Sequence, residues 1–292
     1  MFAGGARSKS DRSPNPSPSA LSGESTMLNL EFFEMSDVGR VRDHNEDYVG
    51  KSVPSSEVES RTQGWLFALA DGVGGEERGE VASQTAVETL IAGFRAAPKG
   101  EAHAVLLPRI TQTANTRIYE MGRASSPGGS RMATTIVACA LRYDRVVVAH
   151  VGDSRCYLIR HGLASQITRD HTVVAEQQRL GLLSEKEATE ASTRHLLSRS
   201  LGNDLFVNVE IDDRQVHVDD VLLTCSDGLH GPVKGSEMAE IVTWNPVLET
   251  AAAKLIALAN ERDGGDNVSV QLIRVRDVER MGMYRGRPYK LR

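Results

Sequence analysis

Cysteine is scarce: 3 in 292 residues. Cys139, Cys156 and Cys225 all lie in apolar runs, at no spacing that fits a zinc motif. The odd count excludes a full disulfide framework and reads as reduced core thiols of an intracellular, cytoplasmic chain. Long hydrophobic runs are also missing. None approaches the ~20 apolar residues of a membrane span, and the N-terminus has no signal-peptide hydrophobic region. A basic excess is missing too. The net charge of −5 argues against a nucleic-acid partner. No internal repeat is visible. No Gly-Lys-Ser/Thr phosphate loop occurs, and Gly72-Val73-Gly74 fails as a dinucleotide fingerprint because position 77 is Glu77.

What is present is ordinary globular material, 40% hydrophobic and 25% charged, enough for one large domain or two small ones. Residues 1–26 are rich in Ser, Pro and Gly and read as a disordered tail, with Met27 an alternative start. Strand patterns cover Leu28 to Met35, Asp47 to Ser52 and Gly64 to Ala70. Apolar residues at helical spacing follow from Gly79 to Ala96, and a second helix runs from His103 to Met121, with Ser125 to Ser130 a loop. Met132 to Leu141, Arg145 to Val151 and Arg155 to Arg160 read as strands whose short turns imply antiparallel neighbours. The polar stretch from Thr168 to Arg199 carries helical pieces at Val173–Leu180 and Glu185–Ala191 and reads as an insertion over the sheet edge. Strands return at Val207–Ile211 and Val221–Cys225, helices at Glu237–Thr243 and Pro246–Arg262, and a last strand at Asn267–Arg276. Strands bunched between helix pairs give an α+β fold layered on antiparallel sheets. Residues 277–292 read as a basic, solvated tail.

The chain is organised around Ala68-Leu69-Ala70-Asp71-Gly72-Val73-Gly74-Gly75. An apolar strand ends in a carboxylate, and glycines leave main-chain carbonyls uncovered. That is a start on a site for a hard cation; a strand–turn–helix corner with a capping Asp explains the octapeptide alone equally well. The same punctuation recurs: Asp47 after Asn45-Glu46, Asp153 in Gly152-Asp153-Ser154, Asp227 in Ser226-Asp227-Gly228, and Asp266 in Gly265-Asp266-Asn267. Each alone is a turn residue. Five carboxylates gathered at one sheet edge would repel unless cations sat among them.

Arg42-Asp43-His44-Asn45-Glu46-Asp47, Ala70-Asp71-Gly72, Arg78-Gly79-Glu80, Ala133-Thr134-Thr135, Val151-Gly152-Asp153-Ser154-Arg155, Thr168-Arg169-Asp170-His171, Ser226-Asp227-Gly228-Leu229 and Gly265-Asp266-Asn267-Val268 occur in order. Together they resemble the metal-dependent protein phosphatases, the PPM or type 2C family in its bacterial style, over residues 30–275. The resemblance implies a four-layer αββα sandwich, two central antiparallel β-sheets flanked by helices. It implies a phosphatase domain over 27–276, with a flap at 168–199.

It also implies two Mn2+ or Mg2+ ions bridged by Asp71, with Asp227 and Asp266 on the first ion, and the Gly72 carbonyl and Asp47 on the second. Asp153 and Asp227 resemble the pair that holds a third ion; Asn45 and Asn267 stand behind the ligands; Arg42 matches the arginine that grips the substrate phosphate. The implied reaction is hydrolysis of phosphoserine or phosphothreonine on proteins by a metal-bridged hydroxide, without a phosphoenzyme, opposing a Ser/Thr kinase. A monomer is expected. The alternative is a catalytically weak member of the same fold that binds phosphoproteins as a regulator.

Hard cations suit this reaction because they acidify a shared water and clamp an in-line displacement, and a planar guanidinium binds two phosphoryl oxygens. Departures exist. Val73 and Glu76 stand where some relatives carry a histidine, so no general acid is named, and Ala133 replaces a glycine at the expected cost of a local backbone adjustment. Cys139 and Arg145 form a Cys-x5-Arg pattern, but Cys139 ends a strand and the intervening residues make a hairpin turn, so this is a chance match. His44 and His171 lie inside motifs and read as hydrogen-bonding scaffold.

Overall fold

The computed structural model describes residues 27–73, 78–124, 132–191, 193, 195–284 and 287–290. Readings that fall on 1–26, on Gly74 to Glu77 and on 125–131 lie outside them. In chain order the elements are β1 (Asn29–Asp37), β2 (Asp47–Ser52), α1 (Glu57–Thr62), β3 (Trp65–Asp71), α2 (Gly79–Ala96), α3 (His103–Ala124), β4 (Ile136–Arg142), β5 (Arg145–Val151), β6 (Arg155–Arg160) and β7 (Leu163–Gln166). There follow α4 (Val173–Arg179), α5 (Glu185–Glu190), β8 (Glu210–Gln215), β9 (Val221–Cys225), α6 (Asp227–His230), α7 (Gly235–Trp244), α8 (Leu248–Arg262), β10 (Val268–Asp277), β11 (Met281–Tyr284) and β12 (Arg287–Lys290).

Two five-stranded antiparallel sheets form the centre, ordered β1-β10-β9-β6-β7 and β2-β3-β4-β5-β8. The uniform apolarity of β3 has its reason here, because both faces of the strand are covered. Leu66, Ala68 and Ala70 point outward to Leu90 and Phe94 of α2 and Leu106 and Ile110 of α3. The alternate residues Phe67 and Leu69 point inward, into the layer between the sheets, with Val137 and Cys139 of β4 and Leu222 and Ile273 of the other sheet. On the far side α7 and α8 cover Leu223, Val270 and Leu272. Each fully buried large side chain contributes roughly 1.5–3 kcal/mol, and three such layers make the expected αββα sandwich.

The cysteines are buried and free, with Cys139 Sγ 3.6 Å from Cys156 Sγ in the inter-sheet layer. Arg145 pairs with Asp213, away from Cys139, which removes any Cys-x5-Arg site.

The elements differ from expectation where local pattern and tertiary demand diverge. The apolar alternation at Val207–Ile211 is largely not a strand: Val207 and Val209 pack on the outer core from a loop, and β8 begins at Glu210 to close the edge beside β5. β7 is a polar edge strand that alternation does not reveal. α1 is a single turn and a half, capped by Ser56. The basic tail after Asp277 is not all coil, since β11 and β12 pair as a two-stranded hairpin.

One buried histidine sets an acid limit on the outer layer. His103 Nε2 donates to the Gln63 carbonyl at 2.7 Å, with its ring 5.5 Å from that of Phe94. Burial pushes its pKa down to about 4. Between about 4 and 6.5 the unfolded chain therefore binds the proton that the folded chain refuses, and stability is lost as pH falls through that window. His103→Gln is expected to flatten this limb by up to about 3 kcal/mol. Melting temperatures at pH 7 and 4.5 check it; parallel acid limbs in variant and wild type would refute it.

Candidate active site

The acidic residues meet at one end of the sandwich. In-register pairing sets Asp47, the first residue of β2, opposite Asp71, the last of β3. Asp153 sits in the β5–β6 turn, Asp227 opens α6 directly after β9, and Asp266 lies just before β10. The backbone of Asp71 is clamped: Thr135 N–H and Thr134 Oγ1 donate to its carbonyl, each at 2.8 Å, and its N–H donates to Thr135 Oγ1 at 3.0 Å. Thr135 Oγ1 in turn lies 2.7 Å from Ser154 Oγ, tying the Asp153 turn to the same clamp. Gly152 there has φ +108°, and a Cβ would fall 2.6 Å from Thr135 Cγ2, so only glycine fits.

Gly72 is required for closeness. A Cβ on it would lie 2.6 Å from the Gly79 backbone and 2.9 Å from Glu46 Cβ. Its N–H donates to the Glu46 carbonyl at 3.1 Å. Ala133 is accommodated without a left-handed backbone; its carbonyl accepts from Val73 N–H at 3.0 Å.

The two asparagines hold the 38–46 loop. Asn267 Oδ1 accepts from Glu46 N–H at 2.8 Å, and its Nδ2 donates to the Val38 and His44 carbonyls at 2.9 and 3.1 Å. Asn45 Oδ1 accepts from Asp47 N–H at 3.0 Å, and Nδ2 donates to Ser36 Oγ at 2.7 Å.

Electrostatics show the convergence. Burial raises the Asp71 carboxyl well above the usual range, and the charges of Asp47, Asp227, Asp153 and Asp266 add to it. Burial pushes Asp47 to about 7, against hydrogen bonds from Ser269 and Ser226; Ser226 Oγ donates to Asp47 Oδ2 at 2.7 Å. Burial and the neighbouring Asp227 and Asp170 push Asp153 to about 7. Asp227 goes the other way. Burial opposes its charge, but His195, His230 and the Gly228 N–H outweigh it and hold the carboxyl below its ordinary value.

Neighbouring side chains answer part of this charge. Arg42 Nη2 donates to Asp266 Oδ2 at 2.9 Å, and His195 Nδ1 lies 3.7 Å from Asp227 Oδ2. Asp47 Oδ1 is buried with no hydrogen-bond partner. An orphaned carboxylate oxygen beside Asp71, Asp227 and Asp266, with a backbone pinched at Gly72, suits a hard divalent cation.

The aspartates are wider set than two clusters nearby, His150-His171-Glu210 and His44-Glu46-Glu80, whose ligand atoms all lie within 4.8 Å of one another. An open cleft of about 1270 Å³ includes Arg42, Asp153, Asp227, Asp266 and His195 in its lining, with Thr172 and Gln178 from the 168–199 segment on one wall.

His171 proves to be scaffold: its Nδ1 accepts from Gly152 N–H at 3.1 Å, and its ring stacks on His150 at 4.7 Å. His44 is exposed, its Nε2 3.5 Å from Glu46 Oε1. Sequence reasoning missed His195 and Glu46. A lone histidine in a polar run carries no signal. Glu46 had one, its place between Asn45 and Asp47, and its backbone meets Gly72.

A sandwich that gathers five carboxylates, three of which line one cleft with an arginine, has the make-up of a metal-dependent hydrolase of phosphate esters. The profile described as "Protein phosphatase 2C" matches residues 41–263. The chain is 35% identical to the serine/threonine phosphatase stp of Listeria innocua, covering 89% of this chain and 99% of that one. The structure of the S. agalactiae serine/threonine phosphatase superposes with a TM-score of 0.77 at 31% identity, over 85% of this chain and all of the other (100%). The catalytic domain of the phosphatase PstP, in complex with 2 manganese ions, gives 0.74 at 33% identity, over 86% and 100%. The chain belongs to the protein phosphatase 2C family and is a protein-serine/threonine phosphatase.

Proposed function

We propose that the protein hydrolyses phosphoserine and phosphothreonine on other proteins by a metal-bridged hydroxide, and that it opposes a Ser/Thr kinase. The observation that carries this is Asp71, raised by burial and by four surrounding carboxylates, next to Asp47 with a buried oxygen that nothing satisfies. Asp71, Asp227 and Asp266 would hold one Mn2+ or Mg2+ ion, and Asp71, Asp47 and the Gly72 carbonyl would hold a second. Asp153 and Asp227 offer a third. When bound, the ions acidify a shared water and neutralise the phosphoryl oxygens.

The chain's own residues do the rest. Arg42 gives up one of its two faces to Asp266 and presents the other to the phosphoryl group. Asn267 and Asn45 hold the loop that aims Arg42. The 168–199 segment acts as a flap over the cleft, on a single phosphatase domain of residues 27–276. The protein works as a cytoplasmic monomer without nucleic acid. Among the described residues no helix is long and apolar enough to cross a membrane.

The test is hydrolysis of a phosphothreonine peptide with Mn2+ and with chelator. Turnover with Mn2+ that chelator abolishes is expected. Peptide binding without turnover in Mn2+ selects the alternative, a phosphoprotein-binding regulator.

A further inference from the structure

A second cavity of about 420 Å³ lies against the 168–199 segment, and Arg169, Arg179 and Arg199 line it. It shares Asp170, Ala175 and Gln178 with the main cleft, so α4 is the wall between the two. Three carboxylates also face this cavity; two are paired with guanidinium groups, and the third, Glu210, is hydrogen-bonded by a neutral histidine. Asp170 takes a two-pronged bond from Arg155, at 2.9 and 2.6 Å. Glu210 Oε2 accepts from His171 Nε2 at 3.2 Å. Glu176 Oε1 accepts from Ser198 Oγ at 3.0 Å and lies 3.6 Å from Arg199 Nη2.

That leaves two guanidinium groups against the one charge of Glu210. Arg169 and Arg179 are exposed, and among the described residues neither side chain has an acidic partner. Arg169 is nonetheless not loosely placed. His150 Nε2 lies 2.8 Å from its carbonyl and 3.2 Å from its N–H, so the peptide is pinned while the side chain projects. Arg199 is held by Glu176, whose Oε1 lies 3.6 Å from its Nη2. The pocket therefore offers three planar donors: Arg199 held by Glu176, Arg169 on a pinned peptide, and Arg179 on α4.

A metal does not explain the pocket, although His150, His171 and Glu210 bring ligand atoms within 4.8 Å. His171 Nδ1 accepts from Gly152 N–H, so Nε2 carries the ring proton and spends it on Glu210. A metal on Nε2 would force a proton onto Nδ1, against the Gly152 N–H. An anion meets no such conflict.

We propose that this pocket is a subsite for a second anionic side chain of the substrate protein, a phosphoryl or carboxylate group a few residues from the phosphoserine or phosphothreonine that enters the cleft. The assignment rests on the phosphatase reading above and narrows its substrate class. Guanidinium forks match both anions, and a phosphoryl group presents more acceptor oxygens and more charge. The substrate is a chain phosphorylated at neighbouring sites, or one with an acidic residue beside the phosphorylated one.

The experiment uses the full chain with Mn2+ and three peptide sets that share one phosphothreonine. A second position, moved from two to six residues away on either side, is phosphothreonine, glutamate or alanine. At the best spacing the doubly phosphorylated peptide is expected to exceed the alanine peptide about tenfold in kcat/KM, mostly through KM, about 1.4 kcal/mol. The glutamate peptide falls between them; glutamate equal to the doubly phosphorylated peptide assigns the subsite to carboxylates. In the Arg169→Ala/Arg179→Ala double variant the advantage collapses, while p-nitrophenyl phosphate is hydrolysed at the wild-type rate. Arg169→Lys/Arg179→Lys retains part of it. No preference at any spacing, or a preference that survives the alanine variant, overturns the proposal. Absence of p-nitrophenyl phosphate turnover would instead count against the phosphatase reading. Fluorescence anisotropy of the labelled peptides then decides the subsite alone, by the same comparison of wild type and double variant.

Discussion

Asp227→Asn is expected to lower kcat on a phosphothreonine peptide about a thousandfold while the protein stays folded. Among the carboxylates of the cluster whose pKa shifts are evident, Asp47, Asp71 and Asp153 are held toward the protonated form by burial and by one another. Asp227 alone is shifted toward the charged form, since His195, His230 and the Gly228 N–H outweigh its burial. On the function proposed above, it is the carboxylate that would offer a divalent cation its full negative charge. Asparagine keeps the shape and one oxygen but removes that charge. A metal site contributes several kcal/mol of charge stabilisation, and ~4 kcal/mol is about 10³ in rate. The fold has little reason to suffer, because the substitution also relieves repulsion on Asp71 and Asp153. Steady-state kinetics with a thermal melt check both halves. Near-normal turnover removes Asp227 from the site; a collapsed melt means the residue holds the fold instead.

The expectation that the aspartates converge came from punctuation, and the reason it works is geometric. A strand buried on both faces must surface at its end, and the residue at that end is free to be polar. β3 shows this: Leu66 to Ala70 fill two cores alternately, and Asp71 is the first side chain that neither core claims. Where apolar periodicity was strong, boundaries were legible, as in α2, β5, β6 and β9. Where an element is stabilised by pairing alone, the sequence was silent. β7 has one buried neighbour strand and a polar composition, and β8 carries Asp212, Asp213 and Arg214 because it is an edge that faces water. The misreading of Val207–Ile211 has the opposite cause: an alternating pattern was satisfied by a loop lying on α2 and α3's core.

The candidate site was legible at its carboxylates and not at the groups that face them. Asp47, Asp71, Asp227 and Asp266 announce themselves by the glycines and asparagines beside them. His195 and the Arg155–Asp170 pair do not, since their roles arise from the 168–199 segment folding back across the cleft. Asn267 lies between these cases. Its motif marked it, but that it holds a loop more than 200 residues earlier in sequence, through Glu46, Val38 and His44, is visible only in three dimensions.

Mn2+ is expected to raise the melting temperature by about 5–10 °C at pH 7.5, at a concentration near a hundred times its dissociation constant. A ligand that binds only the folded chain stabilises it by about 2.7 kcal/mol under that condition, and a chain of this size shifts by a few degrees per kcal/mol. The pH dependence separates this from nonspecific salt effects. In chelator, folded Asp47 and Asp153 release their protons near 7, against an ordinary 3.8. The unfolded chain loses those protons first. Between these values the folded state binds more protons, so as far as these groups act, stability in chelator falls as pH rises from about 4 through about 7. Mn2+ binds the deprotonated carboxylates and competes with the same protons, so the gap between Mn2+ and chelator widens over that range. Melts at pH 5, 6 and 7.5 with Mn2+ and with chelator measure it. Equal melting in the two at pH 7.5, or a gap that grows on acidification, would show that the buried carboxylates are not a divalent-cation site.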